Sequence, residues 1–464
     1  MDGLEISEIQ LSDLERTARI DAEFYKKENM VIAAMLKKPE FHPVTDYFTI
    51  SDGNHMSISE EFQTEGVPYY RGQDIYNTFI EEASSVCIDY ETYMHPHMIR
   101  SHLMPGDVLM SIVGAIVGNT ALVSSDKPAT CSCKLSIIRS NKSGVLPEFL
   151  LSFIRTKYGQ NQIQKFKRGA AQTGFLLEDF DQVLLPVFDL PLQNEIKRVI
   201  DMAHSAVVSE AHVYHQAEQL LLSAIEYQAP EKQTVISAVK TFKNSFVLTG
   251  RLDAEYYQPQ YDFIGNSIGA RQTVSAVCTV FDDTFIPEKE LEYKYIELAN
   301  VGHNGDVSGV DAIKGIDLPS RARRKVLAGQ VIVSSVEGSL QSCALIEDEY
   351  DGALCSTGFY VLDSDEINSE TLLVLFKSEP IQALMKQRCS GTILTAISKD
   401  ELLSMPLPKI NSDVQKTVAE KVQESFALRR KSKELLEVAK QAVEMAIEQG
   451  EDAALAWLGN RVNK

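Results

Sequence analysis

Long apolar runs, paired cysteines and a surplus of positive charge are all missing from this sequence of 464 residues. The longest apolar stretch, Val108 to Val123, is interrupted by Ser111, Gly114, Gly118, Asn119 and Thr120. It is too short and too broken to span a bilayer and predicts two strands and a turn. Seven cysteines, at 87, 131, 133, 278, 343, 355 and 389, form no CxxC pair, which excludes a disulfide framework and a zinc finger. Met1 to Gln10 is acidic and has no apolar segment, so no secretory signal is expected, the compartment is cytoplasmic, and no membrane partner is predicted. Pro-Pro does not occur, which removes the Asn/Asp-Pro-Pro-aromatic motif of an adenine methyltransferase. No GxxxxGK(S/T) loop offers a phosphate cradle. Lys and Arg number 45 against 65 Asp and Glu, a net charge of −20. Coating nucleic acid without sequence preference needs Lys and Arg to neutralise phosphates, so that role is excluded for the chain alone.

The remaining clusters of reactive side chains have plain readings. Asp282-Asp283 and Glu347-Asp348-Glu349 read as solvated loops. His95, His97 and His102 have no second ligand pair at zinc spacing. Cys131-Ser-Cys133 reads as a strand with one buried thiol. No catalytic residue, metal site or cofactor is assigned to this chain.

The chain does contain itself twice. Arg19-Ile-Asp-Ala-Glu-Phe-Tyr25 returns as Arg251-Leu-Asp-Ala-Glu-Tyr-Tyr257 at an offset of 232, and Gly106-Asp-Val-Leu-Met-Ser111 as Gly329-Gln-Val-Ile-Val-Ser334 at 223. Ala129 to Ser132 answers to Ala353 to Ser356 at 224, Leu184 to Pro186 to Ser404 to Pro406 at 220, and a helix from Ile196 to one from Val414 at 218. The order is kept, so one unit has been duplicated, with about fourteen residues trimmed from the second copy. Each copy carries an RxDAE segment, a strand-rich region and a long closing helix.

The first closing helix shows an apolar stripe at alternating spacings of three and four: Ile196, Val199, Ala203, Ala206, Val213, Ala217, Leu220 and Ala224, interrupted by Glu210. The second shows Val414, Val418, Val422 and Phe426, then Leu435, Ala439, Ala442 and Ala446, weakened between by Arg429, Arg430, Lys431 and Lys433. The predicted fold is α+β: two globular α/β domains joined by two long helices that pair as an antiparallel coiled coil, related by a pseudo-twofold. The boundaries follow as 1–40 and 233–259 for the RxDAE segments, 41–191 and 260–410 for the globular domains, and 192–232 and 411–464 for the helices.

These motifs resemble the specificity (S) subunit of type I restriction–modification enzymes over nearly the whole chain. The doubled RxDAE segments, the G-D-V-L-x-S strand with its glycine turn, and Arg168-Gly-Ala-Ala-Gln-Thr-Gly174 before Asp179 carry the likeness. So do the proline exits into the helices at Leu185-Pro186 and Met405-Pro-Leu-Pro408. The resemblance implies two target-recognition domains, each reading one half of a split, asymmetric DNA target, and a coiled coil that fixes the gap. It also implies a chain without chemistry of its own. Two methyltransferase (M) subunits would bring S-adenosylmethionine and modify adenine, and restriction (R) subunits would bring ATP and Mg. The seam from Ile196 to Ala224 spans about 43 Å at roughly 1.5 Å per residue, against one DNA turn of roughly 34–36 Å.

Base reading needs Arg, Lys, Asn and Gln on groove-entering loops or strands. The candidates in the first copy are Arg71, Gln73 and Asn77 within an aromatic loop, and Lys165, Lys167, Arg168 and Gln172. In the second they are Asn300, His303 and Asn304, the dense cluster Arg321, Arg323, Arg324 and Lys325, and Arg388 as the match of Arg168. Residues 41–192 hold 17 acidic against 11 basic residues, and 260–410 hold 22 against 13. Both domains are therefore net negative, and partner subunits are expected to supply much of the grip on DNA. The same imbalance supports a second reading, a protein-binding scaffold or inhibitor with a recognition-domain-like fold that does not bind DNA.

Overall fold

The computed structural model describes residues 7–11, 19–38, 40–75, 78–80, 85–142, 144–169, 173–230, 237–269, 272–391 and 395–462. The principal helices are α1 (Lys27–Leu36), α2 (Pro147–Arg155), α3 (Lys157–Phe166), α4 (Leu190–Ala224), α5 (Pro259–Ser267), α6 (Ser369–Lys377), α7 (Glu379–Arg388), α8 (Ser412–Gln449) and α9 (Glu451–Val462). Two compact units emerge, one of residues 1–206 with 431–464 and one of 207–430. Each long helix, α4 and α8, contributes residues to both.

The first unit is built on a four-stranded antiparallel sheet in the order Phe48–Asp52, Leu135–Ser140, Val108–Ser111, Thr120–Leu122. A three-stranded sheet places Val67–Tyr70 between Val86–Ile88 and the parallel Thr130–Cys131. The second unit repeats this plan with Thr279–Phe281, Phe359–Asp363, Val331–Ser334 and Cys343–Leu345 in one sheet. Its other sheet runs Ala312–Lys314, Glu292–Ile296, Leu354–Ser356, Ala322–Lys325. The central strands are apolar on both faces, as Val108 to Met110 and Val331 to Val333 show by their full burial, because other elements cover both sides.

The duplicated motifs perform duplicated jobs. Gly106 and Gly329 turn the chain into the central strand with φ of 89° and 86°, a conformation that glycine adopts without a Cβ penalty. The residue after each closes the turn with its side chain: Asp107 Oδ2 accepts from Met104 N–H at 2.7 Å and Gln330 Oε1 from Leu327 N–H at 2.9 Å. Helix starts repeat with the chemistry exchanged. α2 begins with Pro147, whereas α6 is capped by Asn368, which accepts from Thr371 N–H; α3 is capped by Thr156, whereas α7 has Pro380 in its first turn.

Matched hydrogen bonds correct the sequence offsets. Gln193 Oε1 accepts from Leu146 N–H as Gln415 Oε1 does from Asn368 N–H, each at 2.9 Å. Val44 and Val274 donate backbone N–H groups to Val183 and Met405. The offset is thus 222 from residue 146 onward. Leu184 to Pro186 answers to Pro406 to Pro408, and Ile196 to Val418, both buried. The drift from 232 to 222 is ten residues rather than about fourteen.

The helical stripe is buried at Ile196, Val199, Ala203 and Val213 in α4 and at Val418, Val422, Leu435 and Ala442 in α8. Leu220 departs from the expected seam. It is 39% exposed, while Leu221 and Ile225 are buried in its stead. A straight α-helix drifts about 20° per heptad from a 3.5-residue repeat, which sums to roughly 70° between Ile196 and Leu220 and advances the stripe toward the next residue. In α8 the weak middle of the stripe is filled by buried Ser425 and Ser432. The final helix, expected to be continuous, breaks at Gly450, where φ is 94°.

Candidate nucleic-acid interface

In each unit three separated motifs meet at the end of the second of two short helices. In the first unit the Arg19 guanidinium is forked onto Asp21 and donates to the carbonyls of Lys165 and Phe166 at the end of α3. In the second, Arg251 is forked onto Asp253 and donates to the carbonyls of Arg388 and Cys389 at the end of α7. The arginine hydrogen bond holds both carboxyls below their usual range. RxDAE is therefore an internal brace that closes a helix C-terminus, where positive charge is favoured.

Beyond that helix end the chain makes a hairpin. Arg168 pairs with Gly174 through reciprocal backbone bonds, as Ser390 pairs with Ala396. The hairpin is stitched to the turn after the G-D-V-L-x-S strand. Phe175 N–H donates to Ile112 and Gly114 N–H to Thr173, and in the second unit Ile397 N–H donates to Ser335 and Glu337 N–H to Thr395. The first unit's Arg71–Asp74 stretch joins the same junction, since Asn119 Nδ2 donates to the Ile75 carbonyl. Arg71, Gln73, Lys165, Lys167 and Arg168, distant in sequence, thus border one junction, and Asn77 and Gln172 lie outside the described residues.

What each candidate side chain does there differs from its expected role in several places. Gln73 is exposed and Lys167 half-buried. Arg71 is forked onto buried Asp74 at 3.1 and 3.3 Å. Lys165 is buried, its ammonium 4.3 Å from the Phe24 ring centre. Arg168 is bonded to both oxygens of Asp179, which is 2% exposed. Arg388 does not occupy the position of Arg168. It ends α7 as Phe166 ends α3, is buried, donates to the Leu384 carbonyl, and has its pKa pushed down by burial. Near-equality of spacing in the two loops hid that two-residue shift.

Asn300 is a turn cap that accepts from Glu297 N–H and donates to the Ser308 and Gly309 carbonyls. It matches Asp74, not a base reader. Asn304 donates to Glu210 of α4 at 2.7 Å, while His303 faces solvent. In the basic cluster Arg321 and Lys325 are exposed, Arg323 donates to the Ser320 carbonyl, and Arg324 donates to the Phe359 carbonyl beneath its cation–π contact with Tyr360. Lys325, though exposed, holds its ammonium 5.7 Å from the centre of the Phe285 ring.

Comparison with known proteins adds the following. No protein-family model matches the sequence, and no curated protein matches it. Among solved structures, the chain is similar to the S subunit of a type I restriction–modification system from M. genitalium. Identity is 13%, with 90% of this chain and 95% of that one covered, at a TM-score of 0.35. It is similar to the HsdS subunit from Thermoanaerobacter tengcongensis at 17% identity, covering 89% and 97%, with a TM-score of 0.30. A third similar chain comes from a study of complex assembly and conformational transition of the type I R-M system, at 17% identity, 89% and 99% coverage and a TM-score of 0.29.

Two further basic residues near the junction and the basic strand carry no motif. Lys134 is exposed; its carbonyl accepts from Ile112 N–H, which fixes its backbone at the junction. Arg100, bonded to Asp52, holds the place of Arg323, because His102 bridges Thr130 as Lys325 pairs with Leu354. The only advance signal for either was alignment of the two copies. Among the described residues no group of three or more His, Cys, Asp or Glu could hold a metal ion, and no helix is long and apolar enough to cross a membrane.

Proposed function

We propose that this chain is the non-catalytic DNA-specificity subunit of a type I restriction–modification complex. The observation that carries the reading is the repetition, in two units of one chain, of the same junction of RxDAE brace, helix end, hairpin and strand turn. A doubled junction suits a split target, one unit for each half, and the differences between the two suit an asymmetric sequence. The long helices serve as the ruler. Residues 190–206 fall with 431–464, and 207–224 with 412–430, the partition expected of an antiparallel coiled coil about a pseudo-twofold. The 35 residues of α4 reach about 52 Å at roughly 1.5 Å per residue, enough to set two reading surfaces one duplex turn of about 34–36 Å apart.

The chemistry then belongs to partners: two M subunits that bind S-adenosylmethionine and flip the target adenine from the stack, and R subunits that use ATP and Mg. The net charge of −20 fits a chain that chooses sequence while partners hold phosphate. A protein-binding scaffold or inhibitor is the second reading, favoured by the internal engagement of Lys165, Arg324 and Arg388. Gel shifts over a salt series, with the host's M subunits present, separate the two. Specificity predicts sequence-dependent binding that weakens steeply with salt; absence of binding with and without M establishes the scaffold. Methylome sequencing of the host is expected to report a split motif with a fixed gap.

A further inference from the structure

Glu210 interrupts the apolar stripe of α4, yet it is 3% exposed. A buried carboxylate persists only with donors around it. Its Oε1 accepts from Asn304 Nδ2 at 2.7 Å, from Arg429 Nη2 at 2.8 Å and from Ser425 Oγ at 3.1 Å. Arg429 of α8 reaches on to Asp306, and the three charged side chains are 4%, 15% and 6% exposed. All of these residues lie in the second unit.

Asn304 and Asp306 belong to one tight loop. Val301 bridges Val307, Gly302 N–H donates to Asp306, Asn300 closes on Ser308 and Gly309, and Leu345 N–H donates to Gly305. The loop directly follows the strand Glu292–Ile296 and its turn Leu298–Asn300, and its exposed residues are His303 and Gly309. Two helices and a loop from the sheet thus share one buried ionic knot.

We infer that Glu210 and Arg429 form a latch through which the helix pair fixes the conformation of the Asn300–Gly309 loop, and hence the half-site preference of the second unit. Asn304 is a positioning residue and reads no base. The helix pair then sets sequence preference as well as spacing. The DNA part of this inference rests on the function proposed above; the latch itself does not.

Hydrogen exchange on the full chain tests the latch without DNA. Asn304→Ala and Glu210→Ala are expected to raise exchange of amides 300–309 by about tenfold or more. Glu210→Gln, which keeps an acceptor for Asn304, restores much of the protection. The strand Val331–Ser334 and the first unit stay protected in Asn304→Ala, the variant that leaves the ion pair intact. Unchanged exchange at 300–309, or an equal rise in both units, overturns the latch. In complexes with M, Asn304→Ala and Glu210→Ala are both expected to reduce discrimination at one half of the target about tenfold and spare the other half. An effect of Asn304→Ala alone would make Asn304 a direct reader and overturn the inference, as would unaltered discrimination in both variants. If the wild-type complex shows no sequence preference, the proposed function fails while the exchange result still decides the latch.

Discussion

The two units solve matched problems with different chemistry. In the first, the segment after the turn Gly72–Asp74 meets its long helix through Phe79, whose ring lies 4.8 Å from that of His204, and Ser124 Oγ bonds His204 Nε2 at 3.1 Å. In the second, the corresponding segment meets α4 through the Glu210–Arg429–Asp306 knot, and the place of His204 is taken by Phe426 of α8. The carboxylate after the hairpin is retained as Asp179 and Glu401, but its arginine comes from the hairpin in one case and from the end of α7 in the other. Positive charge moves as well. Arg71, Lys134 and Arg168 answer to Glu297, Gly358 and Ser390, whereas Ser101 and His102 answer to Arg324 and Lys325. A duplicated backbone has kept its hydrogen-bond frame and exchanged its charges.

The largest expected contrast is in that carboxylate. Asp179→Ala leaves the half-buried Arg168 without its partner and Leu176 N–H without its acceptor, and is expected to cost the first unit about 2–3 kcal/mol. Glu401→Ala breaks a contact of 4.0 Å and leaves Arg388 bonded to the Leu384 carbonyl and to Gln387 Oε1, so it is expected to cost about 1 kcal/mol or less. Denaturant titration followed by exchange in each unit measures both, and equal costs would break the contrast. Next comes charge at the surface. In the complex, Arg321→Ala and Lys325→Ala in the second unit, and Lys134→Ala in the first, should each flatten the salt slope of DNA binding by about one. Arg324→Ala should lower stability with the slope unchanged; a flattened slope would put Arg324 on phosphate. The smallest effect is in acid. Burial lowers the His204 pKa from its ordinary value near 6.5, with Asp201 opposing. The unfolded chain therefore takes up the proton first, and stability is complete above about 6.5 and declines as pH falls from there toward the folded pKa. Melting at pH 7 and pH 5 should show a first-unit loss that His204→Phe abolishes, and persistence of the loss in that variant assigns it elsewhere.

The duplication, the paired strands and the long helices were legible because they rest on backbone periodicity, which neighbouring side chains alter little. A heptad count puts Leu220 in the seam because it assumes an ideal 3.5-residue repeat, whereas the helix turns at 3.6. The interface was less legible. Arg388 and Asn304 have the composition of readers, yet burial and hydrogen bonding engage them inside the fold, and a one-dimensional pattern does not distinguish a donor aimed at a groove from one aimed at a carboxylate. Lys134 carries no local signal, because its backbone anchor, the bond to Ile112, joins residues 22 apart.

The second unit is a continuous stretch, residues 207–430, but the first is completed by 431–464, where Val443, Ala446, Ala454 and Leu458 are buried. On a ribosome adding about 5–20 residues per second, residue 431 follows residue 206 by roughly 10–45 s. The unit begun first is therefore finished last. Until then its apolar surface waits for the segment that covers it, and an assembly partner that bound only the completed unit would pass over chains lacking residues 431–464.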